Sequence, residues 1–328
     1  MFLNYIHTFR GIAILLIVAG HSMSAFDWTN KQVMARFLQI LLQNGSVFFV
    51  FISGFLFQHL SYKYNFKAYM KRKLKNIILP YLICSIPAII FFTFIVHRPN
   101  IDQSFYANSI PLQIILFYLT GSHLAPYWFI PMIAIFYIIS PLLIVFDKNR
   151  ILYYLLPIFI IVSLIVQRGT VIQSFVHFFP VYVFGMLFSK YKEILIPLTG
   201  KYLKLLLGLF VLLLILECNF YTQRMLINFL GKIVGCFFIL PIVYQYDALL
   251  KEKFSYLASV SFGIFFVHNY VISSFKLLSP GKIGGNFVLL PSVLNFLLFF
   301  VAMIIVCILL IILAKKTFGK HSRSIIGC

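Results

Sequence analysis

The chain has 328 residues, 62% of them hydrophobic and only 10% charged. A soluble domain is about 45–50% apolar and about 25% charged, so a water-soluble globule, a disordered chain and a fibrous repeat are excluded. The net charge of +20 comes from 27 Lys and Arg against 7 Asp and Glu. Its basic residues sit in short segments between apolar runs, the pattern of cytoplasmic membrane loops and not of a solvated nucleic-acid surface.

Crossing the hydrocarbon core takes about 20 mainly apolar residues. Ten such runs are predicted in chain order: about 9–26, 37–60, 77–97, 127–146, 151–166, 171–189, 202–217, 225–246, 256–275 and 287–314. Segment 110–121 is short and close to prolines, and reads as an interfacial or re-entrant piece. Alternate loops test the count. One set (61–76, 147–150, 190–201 with Lys204, 247–255 and the stretch from Lys315) carries 18 basic residues, and the other carries seven. The expectation is an all-α integral membrane protein of about ten transmembrane helices, with both termini cytoplasmic and a single domain over 1–328.

The first run holds Arg10 and His21 and ends in no small-residue cleavage pattern. It reads as a retained helix and not a signal peptide. Cys84, Cys218, Cys236, Cys307 and Cys328 have neither redox nor metal spacing, so no metal and no disulfide framework are expected. Abundant Lys, Phe and Ile point to an AT-rich bacterial genome.

Ionisable side chains inside spans are expensive and are functional candidates by default. Arg10 and His21 stand eleven residues apart. At 100° per residue they share one face, ~16 Å apart along the axis. An arginine at the mouth and a histidine deeper on one stripe suit a tunnel for an elongated anion. The bland alternative is a snorkelling arginine and a packed histidine. In the second run Phe51-Ile52-Ser53-Gly54-Phe55 places a small polar pair, which suits close helix packing as well as a substrate contact. Ahead of the third run Lys71 and Lys75 stand at i, i+4 and Arg72 and Lys75 at i, i+3, like charges that repel unless an anion bridges them. Lipid phosphate and a phosphorylated cofactor both fit. His123 reads as a wet interfacial side chain, and Trp128 as part of an aromatic belt. His268, in the ninth run, has the depth to meet the first helix.

Together these segments resemble the membrane-bound acyltransferase-3 family. Arg10-Gly11-Ile12-Ala13 followed by His21 is similar to its first helix, and Phe51 to Phe55 to its second. Arg72-Lys73-Leu74-Lys75 with Pro80 resembles its basic Arg-x-x-Arg loop. Trp128-Phe129-Ile130 with Tyr137 and Pro141 resembles its Trp-Phe-Leu helix, and Ser261 to His268 its Ser-Tyr-x-x-Tyr-Leu-x-His helix. The blocks keep family order from Arg10 to His268. Lys75 stands where arginine is usual, and Phe262 and Phe265 stand where tyrosines are usual. Larger members carry an added SGNH domain, and the stand-alone form is expected here.

The resemblance implies transfer of an acyl group, usually acetyl, from cytoplasmic acetyl-CoA or another acyl-CoA to a hydroxyl of a cell-envelope saccharide. The setting it implies is a bacterial inner membrane, with lipids as neighbours and no nucleic-acid partner. His21 is expected to act as general base or transient acyl carrier, with Arg10 positioning it or binding phosphate. A base must be neutral, so activity should fall as pH drops through its titration. Arg72, Lys75 and Lys71 are expected to bind CoA. His268 and Trp128 are expected to serve the acceptor, and Ser53 to contact substrate. The competing expectations are a membrane exporter and a non-catalytic partner in polysaccharide synthesis.

Overall fold

In lipid a backbone must satisfy its own polar groups, so long apolar runs fold as helices. The computed structural model describes residues 3–42, 45–220, 224–278 and 289–328. Among these the regular structure is helical, and the one strand-like pairing is an isolated bridge between Phe26 and Leu289. The helices are α1 (Asn4–Ser22), α2 (Gln32–Leu42), α3 (Gly45–His59), α4 (Phe66–Lys73), α5 (Leu79–Phe94), α6 (Gln103–Tyr106), α7 (Ile110–Thr120), α8 (Phe129–Ile138), α9 (Ser140–Lys148), α10 (Leu156–Ile165), α11 (Val171–Lys190), α12 (Lys192–Lys201), α13 (Leu203–Asn219), α14 (Arg224–Gln245), α15 (Asp247–Ser259), α16 (Ser261–Leu278), α17 (Val293–Phe318) and α18 (Ser322–Ile325). A π-turn, Leu74–Ile78, joins α4 to α5.

Six helical stretches are long and apolar enough to cross a membrane: Asn4–Ala25, Thr29–His59, Phe66–Phe94, Val171–Lys190, Leu226–Gln245 and Val293–Ile325. Three bent pairs, α8 with α9 (58°), α12 with α13 (72°) and α15 with α16 (61°), raise the number to nine if each pair is one crossing. The run expected at 151–166 forms a shorter apolar helix, Arg150–Ile165. The segment at 110–121 forms the short α7, which stops at Gly121. Large apolar side chains such as Leu142, Ile165, Leu205 and Leu298 are exposed on the outer faces. The chain is a multi-pass membrane protein.

Two of the bends have identifiable local features. Pro141 lacks an N–H and its ring crowds the carbonyl of Tyr137, which accepts from Ser140 Oγ at 2.7 Å instead. At the α15–α16 bend the freed carbonyl of Ala258 accepts from Ser261 Oγ at 2.9 Å and from Arg10 Nη2 at 2.6 Å. That second bond ties α1 to the bend.

The tightest crossing is α3 on α11. A Cβ on Gly54 would collide with the Tyr182 backbone, and one on Gly185 with the Phe51 carbonyl. Small residues there let the two backbones touch. At one end of the bundle Asp147 gathers three elements. It accepts from Tyr153 Oη at 2.7 Å and from Gln58 at 3.4 Å, and pairs with Lys190 at 3.2 Å. The ends of α3, α9 and α11 are thereby held at one face.

Candidate active site

The end that carries the Asp147 network also opens into a cavity of about 420 Å³. It lies among α1, α3, α4, the π-turn, α8, α11, α16 and the segment after α17. Arg10, Lys63, Arg72, Lys73 and Arg323 line it, and no acidic residue does. Lys63, Arg72 and Arg323 are exposed, whereas Arg10 and Lys73 are half-buried. Positive charge therefore runs from the rim inward. Several cations in a partly desolvated cavity repel one another unless an anion joins them.

Arg10 is held by two contacts: Nη2 donates to Ala258 and lies 3.2 Å from His7 Nδ1. Its Nε is buried without a partner among the described residues. Lys73 sits over two rings, 4.7 Å from the centre of Tyr137 and 5.2 Å from that of Tyr69. Ser53 lines the cavity, with its Oγ donating to Phe49 at 2.7 Å.

The inner wall is aromatic. Phe49 and Phe262 line the cavity with ring centres 6.2 Å apart. One turn further along α16, Phe265 lies 5.8 Å from Phe129 and 6.2 Å from His268. The rings of His268 and His21 are 5.2 Å apart. The structure thus brings His21 to His268, and Arg10, on the same stripe of α1, into the cavity wall. His268 Nδ1 lies 2.9 Å from the Ile264 carbonyl, which can only accept, so Nδ1 carries the hydrogen. Nε2 is then an acceptor, buried and without a partner among the described residues. A backbone carbonyl thus holds this ring, and the phenylalanines at 262 and 265 offer it no hydroxyl.

Other expected residues lie elsewhere. Lys71 and Lys75 are exposed and outside the lining. Trp128 is at the start of α8, stacked on Phe178 with ring centres 5.9 Å apart, and the Arg168 guanidinium lies 4.4 Å over its ring. It does not line the cavity. His123 is fully buried, not wet: its ring packs against Phe117, Tyr81 and Tyr127, and Nδ1 bonds the Phe117 carbonyl at 3.1 Å. Three lining cations, Lys63, Lys73 and Arg323, escaped sequence reasoning. Tyr69 one helical turn before Lys73 was the available signal for that lysine. Arg323 had none.

A family model described as an acyltransferase domain, that of the acyltransferase-3 family, matches residues 3–312. The chain belongs to the acyltransferase-3 family. No curated protein and no solved structure is significantly similar to it. Membership of the acyltransferase-3 family makes acyl transfer the general chemistry to be explained. The match takes in Arg10, His21, Ser53, Lys71, Arg72, Lys75, Trp128 and His268, and ends before Arg323.

Proposed function

We propose that this acyltransferase takes a short acyl group, acetyl in the simplest case, from cytoplasmic acyl-CoA and places it on a hydroxyl of a cell-envelope carbohydrate. The proposed site of action is the cytoplasmic membrane of a bacterium. The observation that carries the reading is the cavity: five cations without an acid at its mouth and walls, and phenylalanines leading from it to two histidines. Phosphates suit the exposed Arg72 and the deeper Arg10 and Lys73, with Lys71 and Lys75 adding charge around the rim. The apolar wall suits the uncharged arm that carries the thioester inward.

At the inner end His21 takes the acceptor hydroxyl proton while the oxygen attacks the thioester carbonyl. The C–O bond forms, the C–S bond breaks, and the proton passes on to the departing CoA thiolate. The alternative step acylates His21 first and transfers the group from its ring to the hydroxyl. In either case Nε2 of His268, an acceptor without a partner among the described residues, suits a hydroxyl donor beside His21. Trp128 with Arg168 offers an aromatic, cationic surface outside the cavity that suits the saccharide. Ser53 would contact the donor near the Phe49 wall.

Ten crossings with both termini in the cytoplasm are part of the same proposal. Two pairings support it. His7 and Arg10 meet Ser255 and Ala258, while His21 meets His268, so α1 runs parallel to α15–α16. Parallel first and penultimate crossings need an odd number between them, which the short Arg150–Ile165 helix supplies.

The test is mass spectrometry of surface glycans from cells carrying the wild-type chain, His21→Ala or neither. An alkali-labile acyl increment present only with wild type is expected, with His21→Ala still inserted in the membrane. Equal modification by both chains would remove His21 from the mechanism. Equal amounts of an unmodified polymer, absent without the protein, would favour an exporter.

A further inference from the structure

The segment after α17 turns back into the bundle. α17 ends at Phe318, and Gly319 takes a φ of 52°. α18 then packs on α5 and the π-turn. Ser322 is buried, and the Cys84 thiol donates to the Ile325 carbonyl at 3.4 Å. Gly327 has a φ of 87°, and a Cβ on it would stand 3.0 Å from Phe266 and 3.2 Å from Phe262. Phe262 belongs to the inner wall of the cavity, so the segment packs on that wall directly. Arg323 and Gly327 complete the lining.

We infer that residues 319–328, outside the stretch shared with the family, form one wall of the donor site, and that Arg323 binds a phosphate of the incoming acyl-CoA. The inference rests on the donor reading above. Its physical basis is the cost of the arrangement. A segment leaving the last helix is free to point an arginine into water, away from other cations. Here it is pinned at both ends of α18 and brings a fifth cation to a cavity that already holds four. That placement is unfavourable in isolation and becomes favourable when a multiply charged anion occupies the mouth. An exposed guanidinium also keeps its planar fork available for two phosphate oxygens without the desolvation cost of a buried charge. A lipid headgroup offers the same phosphate chemistry, so the test must separate the two sources.

The full chain is reconstituted in nanodiscs of phosphatidylcholine alone, and in nanodiscs that also contain phosphatidylglycerol. Binding of acetyl-CoA and of acetyl-pantetheine, which lacks every phosphate, is measured for wild type, Arg323→Gln, Arg323→Lys and Gly327→Val. In neutral nanodiscs Arg323→Gln is expected to weaken acetyl-CoA binding about tenfold, the loss of one charged hydrogen-bonding group, with Arg323→Lys between. Acetyl-pantetheine should bind both equally. Gly327→Val should weaken both ligands, because it displaces the wall. Unchanged acetyl-CoA affinity in Arg323→Gln overturns the inference. So does an equal loss for both ligands in that variant, which marks a packing role. A difference that appears only with phosphatidylglycerol assigns Arg323 to lipid and overturns it as well. Failure of wild type to bind acetyl-CoA in any nanodisc overturns the donor reading itself.

Discussion

Arg72 and Lys75 separate two meanings of a basic loop. Both are exposed, but only Arg72 lines the cavity. Arg72→Gln should therefore raise the KM for acyl-CoA about tenfold, the loss of one charge-assisted contact. Lys75→Gln should raise it less than about threefold, since a charge at the rim acts through solvent. Steady-state kinetics with varied donor and fixed acceptor check this, and equal effects would return Lys75 to the site. The pairing of Arg10 with His21 was legible in the sequence because both lie on one helix, where 100° per residue fixes their relation. Lys73 and Arg323 were not legible. Lys73 faces inward because Tyr137, on another helix, supplies a second ring. Arg323 reaches the cavity only through a turn at Gly319 and a docked α18, which no local pattern encodes. His123 misled for the opposite reason: its neighbours Pro126 and Trp128 look interfacial, and its burial comes from Tyr81 and Phe117.

Among the elements, the α3–α11 crossing holds the cavity floor together. Ser53 faces the cavity while Gly54, its neighbour, takes the backbone of α11. The sequence offered packing and substrate contact as alternatives for this pair; the structure puts Gly54 in the packing and Ser53 in the cavity lining. A side chain at Gly54 meets backbone atoms, which cannot move aside as a rotamer would. Gly54→Ala and Gly185→Ala should each cost about 1–3 kcal/mol. Gly208→Ala should cost nothing, because its Cβ position has no atom within 4 Å. Thermal unfolding in detergent would show this as a lowered midpoint for the first two alone. The ten expected runs were legible as helices from hydropathy, since length and composition decide whether a stretch can sit in lipid. The bends were not, because they depend on which freed carbonyl finds a new donor.

At the scale of the molecule, the cavity, the Asp147 network and the segment after α17 share one end of the bundle. If that end faces the cytoplasm, a cysteine at Lys63 or Lys320 should react with a membrane-impermeant maleimide only in inverted vesicles. A cysteine at Asn100, in the loop between α5 and α6, should react only in intact spheroplasts. These assays use a background with the five native cysteines replaced. Reaction of Lys320→Cys and Asn100→Cys from the same side would break the proposed alternation. Overall charge asymmetry was the sequence signal for this arrangement, and it carried no information on which basic segments meet in space.

The Ala258 carbonyl accepts from two side chains, Ser261 and Arg10. The joint between α15 and α16 is thus doubly latched, once by its own helix and once by α1. An Arg10→Met chain keeps the Ser261 latch, so its helices retain one fastening while the cavity loses its deepest guanidinium. Failure of such a chain to use acyl-CoA then reports on the ligand and not on a collapsed joint. The contact between His21 and His268 also rests on the packing of α1 against α15 and α16, which neither donor supplies.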